Sequence, residues 1–79
     1  MPFKYRERFT LARQFSGARL RDRRRFARLS AHALGLAAHC TPDAIFRFER
    51  GHCAPSADRL GRLADALSCR IDDLFEAAG

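Results

Sequence analysis

Apolar side chains return along this chain in short bursts, and a residue suited to start a helix stands before most of them. Leu60, Leu63, Ala64 and Leu67 fall at i, i+3, i+4 and i+7, the stripe that one face of a helix presents to a core. Pro55-Ser56 stands just before that stripe as its start signal. Ser16 caps an expected first helix of about residues 17–27, with Phe15 and Leu20 at the spacing of a hydrophobic staple. Ser30 caps a second helix, with Leu29 and Leu34 at the same spacing. Thr41-Pro42 opens a third, because proline fits the first helical position, and Gly51 closes it as a left-handed cap. Ile71, Leu74 and Phe75 mark a short fifth helix. No β-branched alternation follows residue 15, so the expected fold is all-α, a compact five-helix arrangement.

Residues 1–15 carry two patterns at once. Tyr5, Phe9 and Ala12 fit a helical stripe, whereas Phe9, Leu11, Arg13 and Phe15 alternate as in a strand. The chain therefore divides into a basic N-terminal arm, 1–15, whose conformation stays open, and a helical domain, 16–79.

Charge sharpens this division. Residues 1–30 hold ten Lys and Arg against Glu7 and Asp22, a balance of +8, and residues 31–79 hold five Arg against seven acids, a balance of −2. One basic pole of this kind suits a polyanion, either DNA or an anionic membrane surface. Seventy-nine residues allow a single domain, whose small core gains from dimerisation. With 47% apolar and 30% charged residues the composition is globular. No apolar run approaches the roughly 20 residues that span a bilayer, and the first residues, Met1 to Arg8, lack a signal-type hydrophobic stretch. A cytosolic protein without a membrane segment is expected.

The side chains available for chemistry point away from catalysis and metal binding. The sequence shows no Ser-His-Asp order and no Gly-rich phosphate loop. His39-Cys40 and His52-Cys53 are zinc-type ligands, but they flank the third helix, whose ten or so residues span about 15 Å, too far for one ion. No C-x-x-C pair occurs, and three cysteines in a reducing compartment are expected to stay free. Neither a metal nor a cofactor is expected.

The second and third helices, joined across His39-Cys40-Thr41, have the size and spacing of a helix-turn-helix. From Leu20 to Phe75 the matching residues are Leu20-Arg21-x-x-Arg24, Leu29-Ser30, Leu34, Thr41, Ile45, Phe48-Glu49-Arg50-Gly51 and Pro55-Ser56. They continue through Leu60-x-x-Leu63-Ala64-x-Ala66-Leu67 and end at Leu74-Phe75. By these residues, over about 55 of 79 positions, the chain resembles the Cro-type helix-turn-helix transcription regulators, the XRE family. The resemblance implies double-stranded DNA as partner, read by a homodimer, typically as a repressor on an inverted repeat. It also implies an ion pair between Arg24 and Glu49.

Ile45 and Phe48, at i and i+3, share the buried face of the third helix, which leaves Asp43, Phe46, Arg47 and Arg50 on the opposite face. In similar regulators the positions of Pro42, Asp43, Phe46 and Arg47 contact bases. Arg47 can pair bidentately with guanine and Phe46 can touch a thymine methyl. Phosphates are expected at the amides beginning the second helix, near Ser30 and Ala31, assisted by Arg50, His52, Arg23, Arg25 and Arg28. The sequence departs from the family at several points. Ala31 replaces a phosphate-binding Gln, Arg23 replaces a Leu, and Gly35 replaces a packing Ala, a change expected to be harmless. His39 and Arg28 replace loop glycines and should need left-handed backbone. Ile71, Leu74 and Phe75 are the expected dimer interface. The alternative expectation is a protein-interaction module, such as an antitoxin that holds a protein partner on the same scaffold.

Overall fold

Four hydroxyl side chains start the four α-helices by the same device. In the computed structural model, which describes residues 13–77, the hydroxyls of Ser16, Ser30, Thr41 and Ser56 accept from the amides of Arg19, Ala33, Ala44 and Arg59 at 3.0–3.2 Å. Each satisfies one of the donors that a helix start leaves without an intrahelical partner. The helices are α1 (Gly17–Phe26), α2 (Ala31–Ala38), α3 (Pro42–Glu49, with Pro42 in its first turn) and α4 (Ala57–Ala66).

The stops are equally local. Arg28 and His39 adopt φ of 59° and 61°, the left-handed backbone anticipated at both positions. Gly51, φ 79°, follows α3. Ser68, φ 54°, turns the chain after α4 in the same way, which the sequence reading did not foresee. At His39 the amide of Cys40 donates to the carbonyl of Gly35 at 2.8 Å, a Schellman-type closure.

The all-α helix-turn-helix fold stands, but the fifth segment corrects the expected count of five helices to four. Ile71–Leu74 is a four-residue 3-10 turn, and Phe75–Ala77 runs on as a strand, β2. It pairs antiparallel with β1, Arg13–Phe15, with Phe15 opposite Phe75. The spacing of Ile71, Leu74 and Phe75 fits a helix, but Phe75 is extended, at φ −118° and ψ 154°. Its ring meets that of Phe15 edge-on, with centroids 6.2 Å apart. The amide of Ser16 donates to the carbonyl of Leu74 at 2.8 Å, tying the start of α1 to the 3-10 turn. Residues 13–15 thus belong to the folded unit, along the strand-like alternation seen there. The remainder of the arm, residues 1–12, lies outside the described residues.

The core is built from one large, fully buried side chain per helical segment: Leu20, Leu34, Ile45, Leu63 and Leu74. Ala31, Ala38, Phe48 and Leu67 fill between them. Leu74 has no exposed surface, which corrects its placement at a dimer interface. The 3-10 turn points it inward, where burial of its isobutyl group stabilises the fold. Phe75 is half-buried against Phe15, and Ile71, 43% exposed, is the only one of the three left largely open.

Candidate nucleic-acid interface

Two close backbone approaches set the position of α3. Gly17 lies against the carbonyls of Phe48 and Glu49, and a Cβ there would stand 2.5 Å from the Glu49 oxygen. Gly35 lies against the carbonyl of Cys40, again 2.5 Å from where a Cβ would be. The first contact presses the start of α1 onto the end of α3, and the second closes the α2–α3 turn. Gly35 is therefore a requirement of this turn rather than a neutral replacement. A guanidinium of α4 braces the same turn, as Arg59 Nη2 donates to the carbonyl of His39 at 3.0 Å.

Arg24 and Glu49 form the expected ion pair between α1 and α3. Arg24 Nε donates to Glu49 Oε2 at 2.6 Å and Nη2 to Oε1 at 3.1 Å, while Nη1 donates to the carbonyl of Leu29 at 3.1 Å. The hydrogen bonds to Glu49 hold the Arg24 guanidinium even more firmly protonated than usual, against a smaller opposing effect of burial. With both carboxylate oxygens engaged, the end of α3 is clamped to α1.

The clamp leaves one face of α3 free. Ile45 and Phe48 are buried, whereas Asp43, Phe46, Arg47 and Arg50 are exposed and Pro42 is half-buried at the start of the helix. The Phe46 ring is 40% exposed, with the guanidiniums of Arg24 and Arg50 lying 5.9 and 5.8 Å from its centroid. These are cation–π distances, a role for Phe46 that its place on the reading stripe did not reveal.

The residues expected at phosphates separate into groups. The Ser30 hydroxyl is committed to capping and the Ala31 side chain is buried, which leaves only the leading amides of this helix start, without intrahelical acceptors, for an outside partner. Arg28 and His52 are exposed in the loops that follow α1 and α3. Arg25 and Arg50 line a cleft between α1 and α3 together with Arg21, Arg24, Phe46 and Glu49. Arg23 belongs elsewhere, because its guanidinium turns to Asp73 at 3.7 Å, beside Arg19, Asp22 and Phe26. This corrects its assignment to the phosphate group. Arg21 was missed. The signal for it was its place three residues before Arg24 and four before Arg25, on the side of α1 that the Arg24–Glu49 pair turns toward α3.

Among the described residues, no three His, Cys, Asp or Glu side chains gather as metal ligands, and Cys40, Cys53 and Cys69 are all free thiols. Burial pushes the Cys69 thiol up from its ordinary value, more than the nearby Arg23 draws it down. None of the helices described is long and apolar enough to cross a membrane.

A short α2, a tight turn and an outward-facing α3 braced on α1 define a helix-turn-helix domain. The helix-turn-helix domain family matches the chain over residues 17–77. The P22 c2 repressor, solved in complex with the synthetic operator 9T, is 34% identical with a TM-score of 0.73, over 77% of this chain and 92% of that one. The clp gene regulator ClgR from Corynebacterium glutamicum is 28% identical with a TM-score of 0.70, over 73% and 62%. CoII HppE in complex with substrate is 30% identical with a TM-score of 0.73, but only 35% of that chain is covered. No curated protein matches the sequence. The chain belongs to the helix-turn-helix domain family, and within it to the Cro/XRE type of DNA-binding transcription regulator.

Proposed function

We propose that this chain is a sequence-specific, double-stranded-DNA-binding repressor that acts as a homodimer on an inverted repeat, in the cytoplasm where its operator lies. The observation that carries the reading is Arg47, exposed on the free face of an α3 that the Arg24–Glu49 pair locks in place. A rigidly mounted helix of this size fits the major groove, and an arginine on its outer face can fork onto guanine. Pro42, Asp43 and the edge of Phe46 flank Arg47 as the remaining base contacts. The α2 amides near Ser30 and Ala31, with Arg25, Arg28, Arg50 and His52, bind the phosphates on either side. The P22 c2 repressor, similar over most of both chains, is bound to an operator in its crystal structure, which supports the same use here. The organisation into a basic arm and a DNA-binding domain gives the arm's cations a share of the non-specific affinity.

Two copies would place their α3 helices in successive major grooves, about 34 Å apart. Ile71, exposed at the start of the 3-10 turn, is the proposed centre of the contact between them. Selection from a randomised duplex library followed by sedimentation of the complex tests both claims. A palindromic consensus carrying two chains is expected; a non-palindromic site carrying one removes the dimer. Indifference to sequence in every round removes the regulator.

A second reading keeps the fold and changes the partner. Phe26 is 85% exposed and Leu36 is 67% exposed, and large apolar groups left this open favour a protein contact. An antitoxin-like module would use them. Substituting both with Gln leaves DNA affinity unchanged on the first reading, while on the second it abolishes capture of the partner.

A further inference from the structure

Arg19, Asp22, Arg23 and Phe26 stand at i, i+3, i+4 and i+7 of α1, a single stripe along the helix. The stripe lies on the side of α1 opposite Arg21, Arg24 and Arg25, so it faces away from α3. With Asp73 of the 3-10 turn it lines a groove of about 470 Å³. Phe26, 85% exposed, is the most open large apolar side chain among the described residues. Arg23 reaches Asp73 only at 3.7 Å, and Arg19 and Asp22 are exposed without an ion pair among the described residues. The fold gives this stripe neither a core to enter nor a full set of charge partners.

The order of charges along the stripe is self-complementary. When two copies of α1 lie antiparallel about a two-fold axis midway between residues 22 and 23, Asp22 of each meets Arg23 of the other. The same register sets Arg19 of each against the Phe26 ring of the other, a cation–π pairing. A parallel arrangement sets each charge against its like, and a shift by one turn strips Phe26 or Asp22 of its counterpart. Complementary charges of this kind fix the register of a contact and exclude wrong partners. We infer that this face takes a second copy of the chain, with α1 packed antiparallel on α1. The contact is separate from the one centred on Ile71, which borders a different groove with Gly61, Ala64 and Cys69. Where both contacts form, one dimer is joined to the next. The inference does not depend on DNA binding, and a single helical stripe places the contact among small, weak interfaces.

Sedimentation equilibrium of the full chain tests it over roughly 10 μM to 1 mM, the range of a weak interface. Every chain carries Ile71→Ser, which removes the other proposed contact. This parent should pair within that range. Asp22→Arg and Arg23→Asp each set like charges against one another twice across the axis, so each should weaken self-association at least about tenfold. Mixed one to one, the two variants should pair with each other about as tightly as the parent, because every new charge then faces its opposite. Cooperative melting by circular dichroism verifies folding. Arg23→Asp also loses the pair with Asp73, so Phe26→Gln, at a ring with little buried surface, serves as a second variant. It should weaken pairing at least about fivefold, the loss of two exposed cation–π contacts. A mixture that pairs no better than its components, or a Phe26→Gln chain that pairs like the parent, overturns the inference. A parent that stays monomeric throughout overturns it as well and leaves Phe26 to a foreign protein.

Discussion

Arg24 on α1 and Glu49 at the end of α3 face each other across the domain through two hydrogen bonds, with side-chain exposures of 13% and 5%. The pair is the main polar bond between α3, which carries the proposed reading face, and α1. Removing one partner leaves the other charge largely desolvated, and this dominates the energetics of such pairs. Glu49→Ala should lower stability by about 3 kcal/mol, the low end for breaking a buried pair, because Arg24 keeps its bond to the Leu29 carbonyl. Glu49→Gln, which keeps an acceptor, should cost less. Urea unfolding of both variants measures the difference, and equal, small losses would reassign the pair to the surface.

Gly35 supplies a second prediction about the reading helix. A Cβ at Gly35 would stand 2.5 Å from the Cys40 carbonyl oxygen, so Gly35→Ala must open the α2–α3 turn. Backbone atoms yield little, so a loss of roughly 1–3 kcal/mol is expected, as for other overpacked sites. Thermal melting checks it. An unchanged Tm would mean that the turn relaxes freely and that alanine serves as well as glycine.

Much of this fold was legible in the chain. Ser16, Ser30, Thr41 and Ser56 announce their helices because a cap acts within three residues, a range that sequence spacing records directly. His39 and Arg28 were equally readable as left-handed positions. The β1–β2 ribbon was legible only on one side: alternation through Arg13 and Phe15 was one of two patterns in residues 1–15, whereas Phe75–Ala77 is too short to register and meets Phe15 only by tertiary packing. For the same reason the helical spacing of Ile71, Leu74 and Phe75 misled. Site residues followed the same rule. Arg24 and Glu49 were found by resemblance, but Arg21 and Arg23 look alike in a basic run until α1 docks. One then faces α3 and the other faces Asp73.

Asp73 gives a pH prediction. Its carboxylate accepts from the Arg70 amide at 2.9 Å, and that bond, helped by Arg23, Arg70 and Arg19, draws its pKa below the ordinary 3.8 against the opposing effect of desolvation. A group whose folded value is depressed stabilises the fold above its unfolded value, and the contribution fades as pH falls through the folded value. Asp73→Asn keeps an acceptor but loses the charge, so it should be less stable than the wild type at neutral pH. The gap should close on acidification from about pH 4 downward. A gap that stays constant through this range would show that the carboxylate charge contributes nothing.

Arg47 separates reading from positioning. Arg47→Ala should lose about 1–3 kcal/mol of affinity for the selected site, the value of a good bidentate base contact. It should lose far less on scrambled duplex, where phosphate contacts remain. Paired titrations on the two duplexes measure the contrast. Matching losses would make Arg47 a phosphate ligand, and specificity would then fall to Asp43, Phe46 or the deformability of the DNA.

Phe46 stands at the meeting point of both roles, because its edge faces outward with the reading stripe while its ring lies near the guanidiniums of Arg24 and Arg50. The two uses make opposite predictions for conservative changes. Phe46→Leu keeps an apolar group able to touch a thymine methyl but removes the π face. Phe46→Tyr keeps the face and adds a hydroxyl at the edge. If the ring chiefly holds Arg50, leucine should weaken binding to selected and scrambled duplexes alike by about two- to fivefold, the worth of an exposed cation–π contact of roughly 0.5–1 kcal/mol. Tyrosine should restore both. If the edge chiefly reads a methyl group, leucine should be nearly neutral, and tyrosine should lose affinity on the selected site alone. The half-exposed ring and its two cationic neighbours favour the first pattern. Melting temperatures within a degree or two of the wild type would confine the effect to binding, since Phe46 lies outside the core built on Ile45 and Phe48.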